Sequence, residues 1–204
     1  MTRRPGRLLA VTLAVAALVS CAPDLPDLSE TPGEVVPGAT IDAGVVAAAD
    51  AAGLSDCPTG SGEASEAPSV DLVCLSTGET ASLADLAGTP VLVNVWAHWC
   101  TECREELPLL ARAAREYEGR VQIVGVLFAD EDPAAAIDLA RASGVTYPHL
   151  ADPDSRLTVP LGLRGLPQNV YLDADGRVVG TAFGSFRTYD DVVQAIDEQL
   201  GVRP

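Results

Sequence analysis

The sequence predicts a three-layer α/β sandwich around a mixed central sheet, and three observations carry that expectation. Apolar runs at 91–96 and 121–128 show no alternation, as strands covered on both faces do not. Each run is followed by an amphipathic stretch of helical length, the strand–helix rhythm of a parallel sheet. A strand pair around Asp173-Ala174-Asp175-Gly176 and a last helix then close the chain.

Residues 1–20 read as an export leader. Arg3, Arg4 and Arg7 form a basic start, and the apolar run 8–19 is too short to span a bilayer. It ends at Leu18-Val19-Ser20-Cys21, which resembles the bacterial lipoprotein signal, with Cys21 as the lipidated residue; an ordinary signal peptide with an incidental cysteine is the alternative. Residues 21–56 read as an acidic Pro/Gly-rich tether with a short helix within 41–54, and 57–204 as the folded domain. The formal charge is -16, and removal of a leader with three arginines and no acids makes it more negative. Such a chain has no electrostatic affinity for nucleic acid.

Within the domain, 70–75 is a strand and 82–86 a helical turn opened by a capping serine. After the strand at 91–96, a helix from 100 to 117 carries Leu107, Leu110, Ala111 and Ala114 on one face, with a kink expected at Pro108. A helix over 133–143 starts with Pro in its first turn. Strands at 169–172 and 177–181 form a hairpin, and a helix over 189–200 ends at Gly201.

Chemistry concentrates at Trp99-Cys100-Thr101-Glu102-Cys103, where an apolar strand gives way to a helix. Two cysteines separated by two residues close a small disulfide or open to a dithiol. The positive end of the helix favours a thiolate on the first. An inert clip is the bland alternative. A c-type haem site needs His after the second cysteine, where this chain has Arg104. Under export, Cys57 and Cys74 are left to pair in an oxidising compartment, two free buried thiols being the alternative. Such a bridge closes a loop of about eighteen residues and contributes about 3 kcal/mol in the chain-entropy model. A four-cysteine zinc site fits poorly, because Cys57 and Cys74 are not closely spaced.

The stretch from Val93 to Pro108, with Trp99-Cys100-Thr101-Glu102-Cys103 inside it, resembles the active-site signature of the TlpA/ResA-like thioredoxin-fold oxidoreductases. Gly165-Leu166-Pro167 resembles that family's cis-proline loop, and the segment with Tyr147-Pro148 and Asp152-Pro153-Asp154 fits its insertion. The likeness covers about residues 69–200. It implies a thioredoxin-like sandwich and thiol–disulfide exchange with exported protein thiols or disulfides, in the reducing direction, as in keeping apocytochrome c reduced. By the same likeness Cys100 is the exposed nucleophile and Cys103 the resolving thiol, with no cofactor and no metal. A membrane thiol donor or acceptor then serves a lipid-anchored, extracytoplasmic monomer.

The resemblance places Pro167 and Leu166 opposite the cysteines and Trp99 beside the nucleophile, as substrate contacts; Trp96 is assigned to the core. Three departures matter. Glu102 stands where the family has Pro and opposes a Cys100 thiolate, favouring a reducing couple, while protonated His98 acts in reverse; both residues are otherwise solvated. Asn94 stands where thioredoxin has a buried acid, so proton shuttling from that position is absent. Gln168 follows the proline, a change expected on the substrate rim. His149 reads as a loop or strand-edge residue, and Asp130, Glu131, Asp132, Asp152 and Asp154 as solvated loop charge. Two other readings remain open: a disulfide-forming oxidant, and a redox-inert module that binds peptides through the proline loop. A peroxidase ranks last, since Ala97 occupies the position three before Cys100, where Thr is needed.

Overall fold

The computed structural model describes residues 40–60 and 65–204; the leader and Cys21 lie outside the described residues. The strands are β1 (Leu72–Cys74), β2 (Thr80–Ala81), β3 (Val91–Trp96), β4 (Gln122–Phe128), β5 (His149–Asp152), β6 (Gln168–Leu172) and β7 (Val178–Phe183). The helices are α1 (Ala43–Ala51), α2 (Thr101–Glu116), α3 (Pro133–Ala142) and α4 (Tyr189–Leu200). One seven-stranded sheet runs in the order β2-β1-β5-β4-β3-β6-β7. Strands β3, β4 and β5 are parallel, and β1, β6 and β7 pair antiparallel with their neighbours.

The topology explains the layering. Two crossovers, β3–α2–β4 and β4–α3–β5, step the same way along the sheet, so right-handed connections put α2 and α3 on one face. Leu92, Trp96, Ile123 and Leu127 meet Leu107 and Leu110 of α2, Ile137 of α3, and Val192 and Ile196 of α4 there. Val91, Val93, Val95, Val124 and Val126 point the other way. The third layer over them is thin: a 3-10 turn, Leu83–Leu86, and the turns carrying Leu157 and Leu161.

Helix ends follow local chemistry. Thr188 caps α4 in a reciprocal box with Asp191, and Gly201 ends it in the left-handed region at φ 68°. Asp132 caps α3 through the Ala135 N–H, with Pro133 at the first position. Helix α2 runs unbroken through Pro108. The helix expected within 41–54 is α1, and Ala49 and Leu54 are buried in the helical-face core, so the segment 41–54 is packed as part of the fold.

Two strands were not foreseen. β2 has only two residues, and β5 carries His149, which is buried in the sheet and is neither loop nor edge. The register explains its place. Asn169 of β6, Asn94 of β3, Gly125 of β4 and His149 of β5 stand side by side in one row. Gly125 makes room, because a Cβ there would lie 2.1 Å from Nε2 of His149.

Cys57 and Cys74 are bridged, with Cα atoms 5.9 Å apart. The bond fastens the segment after α1 to β1, and Cys57 Sγ also lies 3.4 Å from the His149 carbonyl oxygen. Replacing Cys57 and Cys74 together by Ser is expected to lower stability by about 3 kcal/mol, read as a shift in the denaturant midpoint of the oxidised protein.

Candidate active site

Cys100 is the N-cap of α2, and its Sγ accepts the Cys103 N–H at 3.2 Å. Cys103 lies inside the first turn, and the two sulfurs are bonded, with Cα atoms 5.3 Å apart. Cys103 is fully buried. Cys100 was expected to be exposed, yet only 5% of its surface is open, because neighbouring groups crowd the sulfur. Cys100 is still the sulfur that reaches the surface: it borders a groove of about 390 Å³ between Trp99 and Cys100 on one side and Phe128, Gly165 and Leu166 on the other.

The groove walls come from loops at strand ends. Trp99 follows β3 and is 55% exposed, whereas Trp96 is buried in the core. The Leu166–Pro167 peptide bond is cis, and the Pro167 carbonyl accepts the Gly184 N–H at 3.0 Å. Gln168 is buried, not on the rim as expected; its Oε1 accepts the Arg164 N–H at 3.0 Å and so braces the loop. Phe183, 62% exposed at the end of β7, lies against Gly165, where a Cβ would come within 2.9 Å of its ring.

His98 and Asp130 form a second feature beside the cysteines. The Asp130 carboxylate accepts the His98 N–H at 2.7 Å and holds Nδ1 of its ring at 2.7 Å. Asp130 is buried, so its reading as solvated charge is corrected, and the same holds for Asp152, which accepts the N–H groups of Arg156 and Leu157. Glu131, Asp132 and Asp154 are exposed. Ala129 sits at φ 48° and turns the chain so that Asp130 faces back toward His98, a conformation that costs about 1 kcal/mol outside glycine. Glu102 is exposed in the first turn of α2.

Glu106 is the residue the sequence reading missed. It lies one turn beyond Cys103 on the same helix face and is completely buried. Its Oε1 accepts Nδ2–H of Asn94 at 2.7 Å, and its Oε2 accepts Nδ2–H of Asn169 at 3.2 Å and the Phe186 N–H at 3.3 Å. Burial pushes its pKa up to about 7, and the three donors hold it from going higher. Asn94 itself carries no acid, but its amide holds a buried carboxyl group that stands on the facing helix. A signal was present, since Cys103, Glu106, Leu107 and Leu110 form one i, i+3, i+4, i+7 stripe with a lone charge in it. Among the described residues, no group of three His, Cys, Asp or Glu side chains is placed to hold a metal.

The AhpC/TSA family model matches residues 64–181. A thiol:disulfide interchange protein DsbE of Pseudomonas fluorescens is 38% identical over 53% of this chain and 60% of that protein, so the match spans less than two thirds of that relative. The thiol:disulfide interchange protein HelX of Rhodobacter capsulatus is 34% identical over 66% of this chain and 75% of its own length. The solved structure of a DsbF homologue from Corynebacterium diphtheriae superposes with TM-score 0.59 at 26% identity, covering 72% of this chain and 94% of that one. The thioredoxin-like fold is shared with that neighbour.

Glu106 and His149 pull stability in opposite directions with pH. Glu106 binds its proton more tightly folded than its ordinary 4.5, so its contribution falls as pH rises from 4.5 to about 7. Burial lowers the His149 pKa from 6.5 to about 4, so its contribution is present above 6.5 and lost as pH falls toward 4. Glu106→Gln is expected to expose the His149 slope, making stability rise with pH between 4 and 6.5, and to differ from wild type across that range by as much as about 3 kcal/mol. Denaturant unfolding of both oxidised proteins at pH 5 and pH 8 measures the change; equal slopes would rule it out.

Proposed function

The chain belongs to the AhpC/TSA family, and on that premise we propose that it is an extracytoplasmic thiol–disulfide oxidoreductase that reduces disulfides in exported proteins. The observation that carries this reading is the Cys100–Cys103 disulfide, with one sulfur at a groove facing the cis-proline loop and the other buried one helical turn from Glu106.

In the reduced protein the Cys100 thiolate attacks a substrate disulfide, forming a Cys100–substrate bond and releasing one substrate sulfur as thiolate. The Cys103 N–H and the helix N-terminus favour that first thiolate. Cys103, out of contact with solvent, passes its proton to the Glu106 carboxylate and attacks Cys100 Sγ. The second substrate thiolate leaves, and two electrons have passed from Cys100 and Cys103 to the substrate. A carboxyl group with a pKa near neutrality suits this proton transfer, because it gains and loses a proton at little cost near pH 7.

Trp99, Leu166 and Phe183 offer apolar contacts to an extended substrate segment beside the nucleophile. Glu102 raises the free energy of a Cys100 thiolate and favours the reducing direction, with His98, oriented by Asp130, as the opposing influence. Apocytochrome c is among the substrates this reading includes, and a membrane thiol donor recharges the pair. The leader, the acidic tether and the Cys57–Cys74 bridge support a protein held outside the cytoplasm by lipid on Cys21; no helix among the described residues is long and apolar enough to cross a membrane.

Cys103→Ala is expected to accumulate mixed disulfides with exported proteins in cells, whereas Cys100→Ala accumulates none; absence of adducts from both variants would defeat exchange activity. Equilibration of the purified pair with glutathione is expected to give a potential near thioredoxin's, about -270 mV, and a value near -120 mV would reverse the direction of electron flow.

A further inference from the structure

His149 is a buried imidazole that the exchange mechanism above leaves unused. Its Nδ1 lies 3.0 Å from the Tyr147 carbonyl oxygen. A carbonyl only accepts, so Nδ1 carries the proton, and Nε2 presents a lone pair. That lone pair has no partner among the described residues. The ring stacks on Tyr147 and meets Trp96 edge-on, which fixes its direction. Nε2 lies over Gly125, as the 2.1 Å approach to the missing Cβ shows. Gly125 is the register partner of both His149 and Asn94. His149 therefore leans across the side-chain-free position toward Asn94.

Asn94 answers from the other side. Its Nδ2 is spent on Glu106 and Asn169, and its Oδ1, also buried, has no partner among the described residues. The row thus holds two unpartnered acceptors, Nε2 of His149 and Oδ1 of Asn94, on the two strands that flank Gly125. Two acceptors cannot satisfy each other, but one molecule with two O–H donors satisfies both. An apolar residue at 149 would fill this layer without an orphaned acceptor, so packing alone does not account for a histidine here.

We propose that His149 is a positioning residue for the proton on Glu106, acting through a water held between its Nε2 and Oδ1 of Asn94. The water donates to Oδ1 and polarises the Asn94 amide, which strengthens the Nδ2–H bond to Glu106 Oε1 and stabilises the carboxylate that receives the Cys103 proton. The proposal rests on the reading of Glu106 as that proton acceptor. The titratable groups turned into this layer are Glu106 and Cys103 on α2, Tyr147 beside His149, and Tyr171 on β6. Helix α3 contributes Ala136 and Ile137 to this core and α4 contributes Val192 and Ile196; α4 also carries Tyr189, packed against the same core, and Glu198, whose charge acts on Tyr171. Burial keeps His149 neutral at pH 7, as a water acceptor must be.

The test follows the resolution step, attack of Cys103 on a mixed disulfide between Cys100 and glutathione, from pH 5 to pH 9. Wild type is expected to inflect near 7, and Glu106→Gln to lose that inflection. His149→Val is expected to move it upward by at least about half a pH unit, about threefold in rate on the acid limb, while His149→Gln, which keeps an acceptor, stays near wild type. An unmoved inflection in His149→Val overturns the role of His149 and leaves Glu106 standing. An inflection that survives Glu106→Gln overturns the Glu106 reading and, with it, the coupling. Nitrogen-15 NMR of the oxidised protein reads the site without reference to Glu106: a proton on Nδ1 is expected, together with a long-lived water near the His149 ring that disappears in His149→Val. A proton on Nε2, or no such water in wild type, overturns the proposal whatever Glu106 does.

Discussion

A carboxylate enclosed in a protein core has to be met by donors, and Glu106 is met by three from three different segments: Asn94 on β3, Asn169 on β6 and the Phe186 N–H ahead of α4. Losing one donor leaves an acceptor oxygen less well met in the core and pushes the group further toward its protonated form. The arrangement therefore fixes the rotation of α2 about its own axis. With Glu106 turned to the sheet, Cys103 one turn earlier must also face inward, and Cys100 at the cap, itself nearly buried, is the sulfur that borders the groove. The inequality between the two sulfurs follows from where the acid is held.

The groove has a similar origin in the sheet. Parallel strands β3 and β4 end at the same side, and the crevice beyond strand carboxyl ends is where open α/β sheets bind their ligands. The loop after β3 brings His98, Trp99 and Cys100, and the loop after β4 brings Ala129 and Asp130. The Asp130 carboxylate joins the two loops by accepting from both the backbone and the ring of His98. Antiparallel β6 starts where β3 ends, so the proline loop ahead of it closes the opposite wall.

Much of this was legible in the sequence. Uniform apolar runs announce β3 and β4, and the caps and periodicity of α2, α3 and α4 give their extents within one or two residues. The cysteine pair and Gly165-Leu166-Pro167 marked the site. What escaped depends on tertiary placement. Tyr147-Pro148-His149-Leu150-Ala151-Asp152 contains a proline, a histidine and an acid, and reads as loop until the empty position at Gly125 shows why a histidine fits a central strand. Asp130 and Asp152 look like their solvated neighbours because the N–H groups that hold them come from folded loops. Gln168 was assigned to a surface that the backbone of residues 162–164 in fact occupies. The near-burial of Cys100 reflects neighbours that no spacing reveals.

The fit of His149 over Gly125 also constrains how this sheet can change over time. Position 125 accepts a side chain only after 149 has shrunk, and an imidazole at 149 survives only while 125 stays bare. Neither change is neutral when it comes first, so the two positions drift as one character, in a set order. A lineage that loses the histidine is free to fill 125. Once it has done so, restoring the histidine requires the glycine to return beforehand.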